Sequence, residues 1–225
     1  MDSITAIFDI GGTLLNQPDL FEEISYNLTG KHSDDKTRNL VLNTFGYLFQ
    51  NQEQYQSVAD VMAATLTLLA KEYGYPDISH RAGEIYSDVF IDKSVLSPDV
   101  LNTLDILSKN RVRMIIASDA DAETVKEQLV KHNLKNYFAD ICTSDLAGAY
   151  KPSSAYIDYL AKYALNNDNN SYFIGDNIQD IESGKKLGIK SVLIDRKKSK
   201  EDLDADFIIQ DLRELLPILN IRTEQ

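Results

Sequence analysis

The sequence predicts an α/β fold, a mostly parallel sheet with helices on both faces, interrupted near its start by an all-helical insert. Two observations carry that prediction. From about residue 97 onward, short apolar runs alternate with stretches of helical periodicity, the pattern of strands joined by helical crossovers. Before that, the apolar run at Ile4–Phe8 is followed by about 75 residues whose apolar positions recur only at helical spacing.

The first run reads ITAIFDIGGTLL from Ile4 to Leu15, an apolar strand that breaks at Asp9 into two glycines and a threonine. Such a strand delivers Asp9 to the rim of a sheet, where Gly11 and Gly12 let backbone approach a ligand and Thr13 offers a hydroxyl. Asp19 to Thr29 is predicted as the first helix, ended by Gly30. Val41, Phe45, Leu48 and Phe49 mark a second, Val58, Val61, Met62, Thr65, Leu68 and Leu69 a third that stops before Gly74 and Pro76, and Ile78, Ala82, Ile85 and Val89 a fourth. These apolar stripes can bury one another as a small helical bundle. Ser97-Pro98-Asp99 is predicted to open the next helix with a capping hydroxyl, a first-turn proline and an early carboxylate. Strand Val112–Ala117, helix Glu123–His132, a short strand near Ile141, helix Ser153–Tyr163, strand Tyr172–Ile174, helix Ile178–Leu187, strands Ser191–Ile194 and Phe207–Ile209, and a helix from Leu212 complete the pattern. The polar stretch Asn166 to Asn170 is predicted as a surface loop.

Composition bounds the function. A chain of 225 residues can hold one sizeable core and a smaller appendage, and no apolar run approaches the ~20 residues of a membrane span. A net charge of -12 argues against a nucleic-acid partner, and the short basic run Arg196-Lys197-Lys198 reads as a solvated loop. Cys142 is the single cysteine, which excludes an intrachain disulfide and a thiolate metal site and leaves a small core residue. His32, His80 and His132 stand in scattered polar contexts and are expected in surface or capping roles. The opening MDSITAIFD has no basic stretch before an apolar one, so a cytoplasmic location is expected, with the protein a monomer or homodimer.

The chemistry lies in four stretches. Asp9 follows the first strand, Ser118 and Asp119 follow MIIA, Lys151 precedes Pro152 in AYKPSS, and Asp176 and Asp180 follow the strand ending FIG. In an open parallel sheet, ligands bind where the carboxyl ends of strands meet at a switch in strand order, so Asp9, Ser118 and Asp176 should converge. Two carboxylates there suit a hard divalent cation such as Mg²⁺. Asp9 is then placed for attack on a phosphoryl group, Ser118 for a hydrogen bond to a phosphoryl oxygen, and Lys151 for charge beside it.

In this order the four stretches resemble the haloacid dehalogenase superfamily, whose motifs run Asp-x-Asp-x-Thr, Ser or Thr, Lys, and Gly-Asp-x-x-x-Asp. The resemblance implies a Rossmann-like core of residues 1–15 and 94–225 with a helical cap domain at 16–93, hinged near Leu15 and Ser94 and selecting the substrate. It implies a metal site of Asp9, Asp176 and the backbone carbonyl of Gly11, with Asp180 holding metal-bound water or orienting Lys151. It also implies substrate contacts from Gly12, Thr13 and Asp119 and a Mg²⁺-dependent phosphohydrolase acting on a small phosphorylated metabolite through an aspartyl-phosphate on Asp9. The chain departs from the pattern at Gly11, where the family carries the aspartate that protonates the leaving group, and Asp119 is the nearest substitute by strand topology. Relatives that lack this aspartate supply two alternatives. One is a phosphonate hydrolase using a cap lysine, with Lys31, Lys36, Lys71 and Lys93 as candidates. The other is a 2-haloacid dehalogenase working without metal. A third alternative is a binding module that keeps the fold without useful turnover.

Overall fold

The computed structural model describes residues 4–52, 54–164, 170–198 and 203–221. Residues 166–169 of the expected polar loop lie outside them; Asn170, the last of that stretch, accepts a hydrogen bond from the Thr5 amide at 3.1 Å. The chain divides into two compact units, one of Met1–Asn16 with Val95–Gln225 and one of Gln17–Ser94.

The first unit is built on a parallel sheet whose strands are β1 (Thr5–Phe8), β4 (Arg113–Ser118), β5 (Asp140–Thr143), β6 (Ser171–Gly175), β7 (Lys190–Ile194) and β8 (Phe207–Ile209). They lie in the order β5-β4-β1-β6-β7-β8. β1 therefore sits between β4 and β6, and the strand order reverses at its two sides. Alternate side chains of β1 face opposite ways. Ala6 and Phe8 join a core with Leu104 and Leu107 of α5 (Val100–Lys109) and Val125 and Leu129 of α6 (Ala122–Lys131). Ile7 joins a second core with Tyr156 and Leu160 of α8 (Ser154–Ala164). Helices thus cover both faces, and burial on both faces is why these strands read as continuous apolar runs rather than alternating ones. Helix α9 (Ile178–Leu187) follows β6 within the bounds its sequence predicts.

A separate antiparallel pair, β2 (Leu15–Asn16) with β3 (Val95–Leu96), stands where the chain leaves and re-enters this unit. It had no signal in the sequence, being two residues long on each side. Its pairing keeps Asn16 with the first unit, whereas the Ser94 amide and hydroxyl both bond to the Ile91 carbonyl of the second. The expected junctions at 15/16 and 93/94 thus each move by one residue.

The second unit holds α1 (Leu20–Thr29), α2 (Asp35–Gln50), α3 (Val58–Tyr73) and α4 (Ala82–Ser87), the last running into a π turn at Asp88–Asp92. Its caps follow from local chemistry. Asp19 accepts from the Phe21 and Glu22 amides, and Ser57 and Asp60 form a reciprocal capping box. Ile24, Val41, Phe45, Met62, Leu66 and Ile85 are buried among one another, a bundle core of the expected kind. Within the described residues, no helix is long and apolar enough to cross a membrane.

Two local expectations are overturned. Helix α5 begins at Val100, not at Pro98, and the Ser97 hydroxyl accepts from the Asn16 side chain at 2.8 Å instead of capping the helix. Asp99 is buried, paired with Arg196, so Arg196 belongs to no solvated basic run even though Lys197 and Lys198 are exposed.

Candidate active site

The carboxyl ends of β1, β4 and β6 bring the predicted residues together because β1 is the central strand of the three. The Asp9 amide continues the ladder by donating to the Ile174 carbonyl at 2.9 Å, which fixes Asp9 at the rim. Its side chain is buried, and Oδ1 accepts from Lys151 Nζ at 2.8 Å. The same Nζ donates to Asp180 Oδ1 at 2.6 Å and to the Ala117 carbonyl at 3.3 Å, and the lysine side chain is only 1% exposed. Asp176 lies at the same rim: one carboxylate oxygen from each of Asp9, Asp176 and Asp180 falls within 4.8 Å of the others.

The spacing of Asp176 and Asp180 has a local cause. Asn177 caps α9 by accepting from the Asp180 amide at 3.2 Å, and Asp180 Oδ2 accepts in return from the Asn177 and Asp176 amides at 3.2 and 3.1 Å. Both oxygens of Asp180 are therefore engaged, one by the helix start and one by Lys151. The arrangement suits a residue that orients the lysine better than one that ligates a cation directly. Two glycines make the close packing possible. At Gly175 a Cβ would collide with the Asp180 carboxylate, and at Gly12 it would collide with the Asp176 carboxylate. Gly12 also has φ +74°, a left-handed backbone that side chains disfavour.

Burial pushes the Asp9 carboxyl well above the ordinary carboxylate range; Lys151 opposes the rise, and Asp180 and Asp176 add to it. Asp180 is also raised by burial, against the pull of Lys151. Burial alone would depress Lys151, but Asp180, Asp9 and Asp119 outweigh it and hold the ammonium well above its usual range. Three carboxylates with one ammonium leave an excess of negative charge made wholly of hard oxygen donors, which fits a small divalent cation. Asp9 and Asp176 are the carboxylates that would hold it, since both Asp180 oxygens are engaged elsewhere.

The remaining predicted residues occupy other positions. The Ser118 hydroxyl, at the end of β4, accepts from the Ala120 amide at 3.1 Å. Asp119 Oδ1 accepts from the Lys151 amide at 2.9 Å and from the Ser144 hydroxyl at 3.0 Å, with Oδ2 at 3.9 Å from Lys151 Nζ. Asp119 therefore fixes the lysine-bearing loop. Ser144, buried at the start of α7 (Ser144–Ala147), had no signal in the sequence, since nothing local ties a serine after β5 to an aspartate after β4. The Gly12 amide is taken by the Leu15 carbonyl at 2.7 Å, and Thr13 is fully buried, its hydroxyl unpartnered and its carbonyl bonded to Arg196. Among the lysines considered for a Schiff base, Lys31, Lys36 and Lys71 are exposed, and Lys93 pairs with Glu23 at 2.8 Å and Asp88 at 2.7 Å. Those two partners raise the Lys93 pKa, the opposite of what an amine nucleophile needs.

Cys142 is buried on β5, and burial pushes its thiol up to about 12. The native protein should therefore resist a thiol-alkylating reagent at about pH 8 and react once unfolded in denaturant. Equal labelling rates in the two states would contradict the buried position.

Residues 6–194 match the model of the haloacid dehalogenase-like hydrolases. The chain belongs to this family. It is 24% identical over 230 residues to a phosphoglycolate phosphatase of Vibrio parahaemolyticus, covering 95% of either chain. Its match to three further phosphoglycolate phosphatases spans 54% of their length. The fold of this family member is shared with the magnesium-bound HAD-hydrolase YfnB from Bacillus subtilis (TM-score 0.75, 20% identity, 98% of this chain and 100% of that one). It is shared equally with the L-2-haloacid dehalogenase RSc1362 (TM-score 0.75, 16% identity, 98% and 100%). Like the family it belongs to, the protein is a hydrolase.

Proposed function

We propose that the protein is a Mg²⁺-dependent phosphohydrolase of a small phosphorylated metabolite, with Asp9 as the nucleophile. The observation that carries this reading is the pair of bonds from Lys151 Nζ to Asp9 and Asp180, set beside Asp176 at the same strand ends. A cation site needs carboxylate ligands beyond the nucleophile, and Asp176 supplies one at the same rim.

Asp9 presents an oxygen to phosphorus while Lys151, fixed by Asp180 below and by the Asp119 bond to its own amide, holds positive charge at the face where the phosphoryl oxygens arrive. The metal ion, when bound, would offset the charge of carboxylates and phosphate. Ser118 is placed to exchange its bond from Ala120 for one to a phosphoryl oxygen. Attack of Asp9 on phosphorus breaks the P–O ester bond and gives an aspartyl-phosphate, with the alcohol leaving on a proton taken from solvent; water then cleaves the acyl phosphate, releasing inorganic phosphate and restoring Asp9. The full-length similarity to the Vibrio phosphatase makes phosphoglycolate and other short phosphorylated acids the first substrates to assay.

The test is phosphate release from a panel of metabolite phosphates in Mg²⁺ and in EDTA, with Asp9→Asn as the blank. Turnover of at least one ester that EDTA abolishes is expected. Undiminished hydrolysis in chelator, or turnover by Asp9→Asn equal to that of the native protein, would remove the proposal.

A further inference from the structure

Arg196 leaves the carboxyl end of β7 and turns inward, 21% exposed at its side chain. Nη1 donates to Asp99 Oδ2 at 2.7 Å and Nη2 to the Thr13 carbonyl at 2.9 Å. The same Asp99 oxygen, itself buried, accepts from the Leu212 amide at 2.6 Å. One ion pair thus ties the loop after β1 to the start of α5, the segment after β7 and the C-terminal turn. The proposed reaction uses none of these atoms. Replacing a buried ion pair by apolar side chains is often neutral for stability, so holding the fold together does not account for it.

The geometry of the loop does. Ile10 accepts from the Leu14 and Leu15 amides, both at 2.9 Å, and the Gly12 amide donates to the Leu15 carbonyl at 2.7 Å, which closes Ile10–Leu15 into a tight turn. The next two carbonyls are anchored from outside: Thr13 by Arg196, and Leu14 by the Ser97 amide at 3.1 Å. One residue before the first anchor, Gly12 lies so near the Asp176 carboxylate that a Cβ has no room. We infer that Arg196 is a positioning residue for the nucleophile loop. By holding the Thr13 peptide it sets how closely the loop approaches Asp176, and so the gap between Asp176 and Asp9 in which the reaction is proposed to occur.

The kinetic part of this inference rests on the phosphohydrolase reading; the structural part does not. Amide hydrogen exchange across Ile10–Leu15 and steady-state kinetics are therefore measured together, on Arg196→Ala and on Asp99→Asn, which keeps the guanidinium and weakens its anchor. In Arg196→Ala the Leu14 and Leu15 amides should exchange about tenfold faster or more, with those of β6 and α9 unchanged. Its kcat should fall by about 10- to 100-fold with a smaller change in KM, since a misplaced reacting group costs rate before it costs binding. Added guanidinium ion should recover part of that kcat and leave the native enzyme unaffected. Asp99→Asn should show the same signature in smaller measure. Native exchange in the loop together with native kcat, whatever happens to the melting temperature, would overturn the inference. If Arg196→Ala does not fold, Asp99→Asn decides on the same criteria. If no substrate turns over, the phosphohydrolase reading has failed, and loop exchange alone decides the role of Arg196.

Discussion

Replacing Lys151 by methionine should destabilise the protein by about 3–5 kcal/mol at neutral pH, the usual cost of removing one partner from a buried charged group. The lysine bonds to both Asp9 and Asp180, and among the described residues no second cation pairs with either. Without it, two buried carboxylates face each other and Asp176. They can escape only by taking up protons, so the penalty should depend on pH with a definite sign. Asp9 and Asp180 already have folded-state pKa values above the ordinary range. The native state therefore binds more protons than the unfolded chain from about pH 4 up to those raised values, and stability falls as pH rises through that window. Removing Lys151 raises both values further and extends the window upward. Urea midpoints of the two proteins should accordingly lie closer together at about pH 5 than at about pH 8. The contribution of Lys151 itself, whose folded pKa is raised, is complete below about pH 10 and is lost only at higher pH, so it does not blur the comparison. Turnover should fall by about 10²–10³-fold or more, as for loss of one preorganised charge at a reacting group. A pH-independent difference in midpoint would show that the carboxylates are not coupled through this lysine.

Gly11→Asp should raise turnover of alkyl phosphates more than that of aryl phosphates, by up to about 10²–10⁴-fold. A nitrophenolate departs as an anion without help, while an alkoxide needs a proton, and position 11 is where the motif resemblance puts the acid. Asp119, the nearest substitute by strand topology, has Oδ1 committed to the Lys151 amide and the Ser144 hydroxyl, which leaves Oδ2 alone for a proton-transfer role. Gly11 does not have the left-handed φ of Gly12, where a Cβ would also collide with the Asp176 carboxylate. The same substitution at adjacent positions should thus have opposite outcomes, with Gly12→Asp losing activity on every ester. Ratios of kcat/KM for an alkyl and an aryl phosphate, measured for both variants, check this. An equal change on the two substrate classes in Gly11→Asp would show that the missing acid does not set the selectivity.

The strands were legible in the sequence because burial on both faces leaves an apolar run, and the helices of the insert because apolar residues such as Val41, Phe45, Leu48 and Phe49 recur at helical spacing. The convergence of Asp9, Ser118 and Asp176 was legible from topology, since they follow the neighbouring strands β1, β4 and β6, whereas Lys151 reaches Asp9 from the loop between α7 and α8. The pair Asp99–Arg196 was read wrongly on both sides, as a helix-start carboxylate and as part of a solvated basic run. Each reading was locally reasonable. The two residues are 97 positions apart, and only the folded chain brings Arg196 and the Leu212 amide onto the same Asp99 oxygen. Ser144 was missed for the same reason: its partner Asp119 belongs to another strand end.

The ladder at the foot of the insert makes the helical unit detachable in a defined way. Leu15 pairs with Leu96 and Asn16 with Val95, so the residues that bracket the 78-residue excursion from Gln17 to Ser94 are cross-strand neighbours. To the core, the whole unit is a hairpin loop of unusual length. Two residues of turn-forming sequence, Asn-Gly for instance, could close the same ladder in its place, and the entropy of closing a long loop grows only with the logarithm of its length. Insertions of very different size can therefore occupy this position without disturbing the register of β2 and β3, which makes it a natural graft point for exchanging one inserted unit for another.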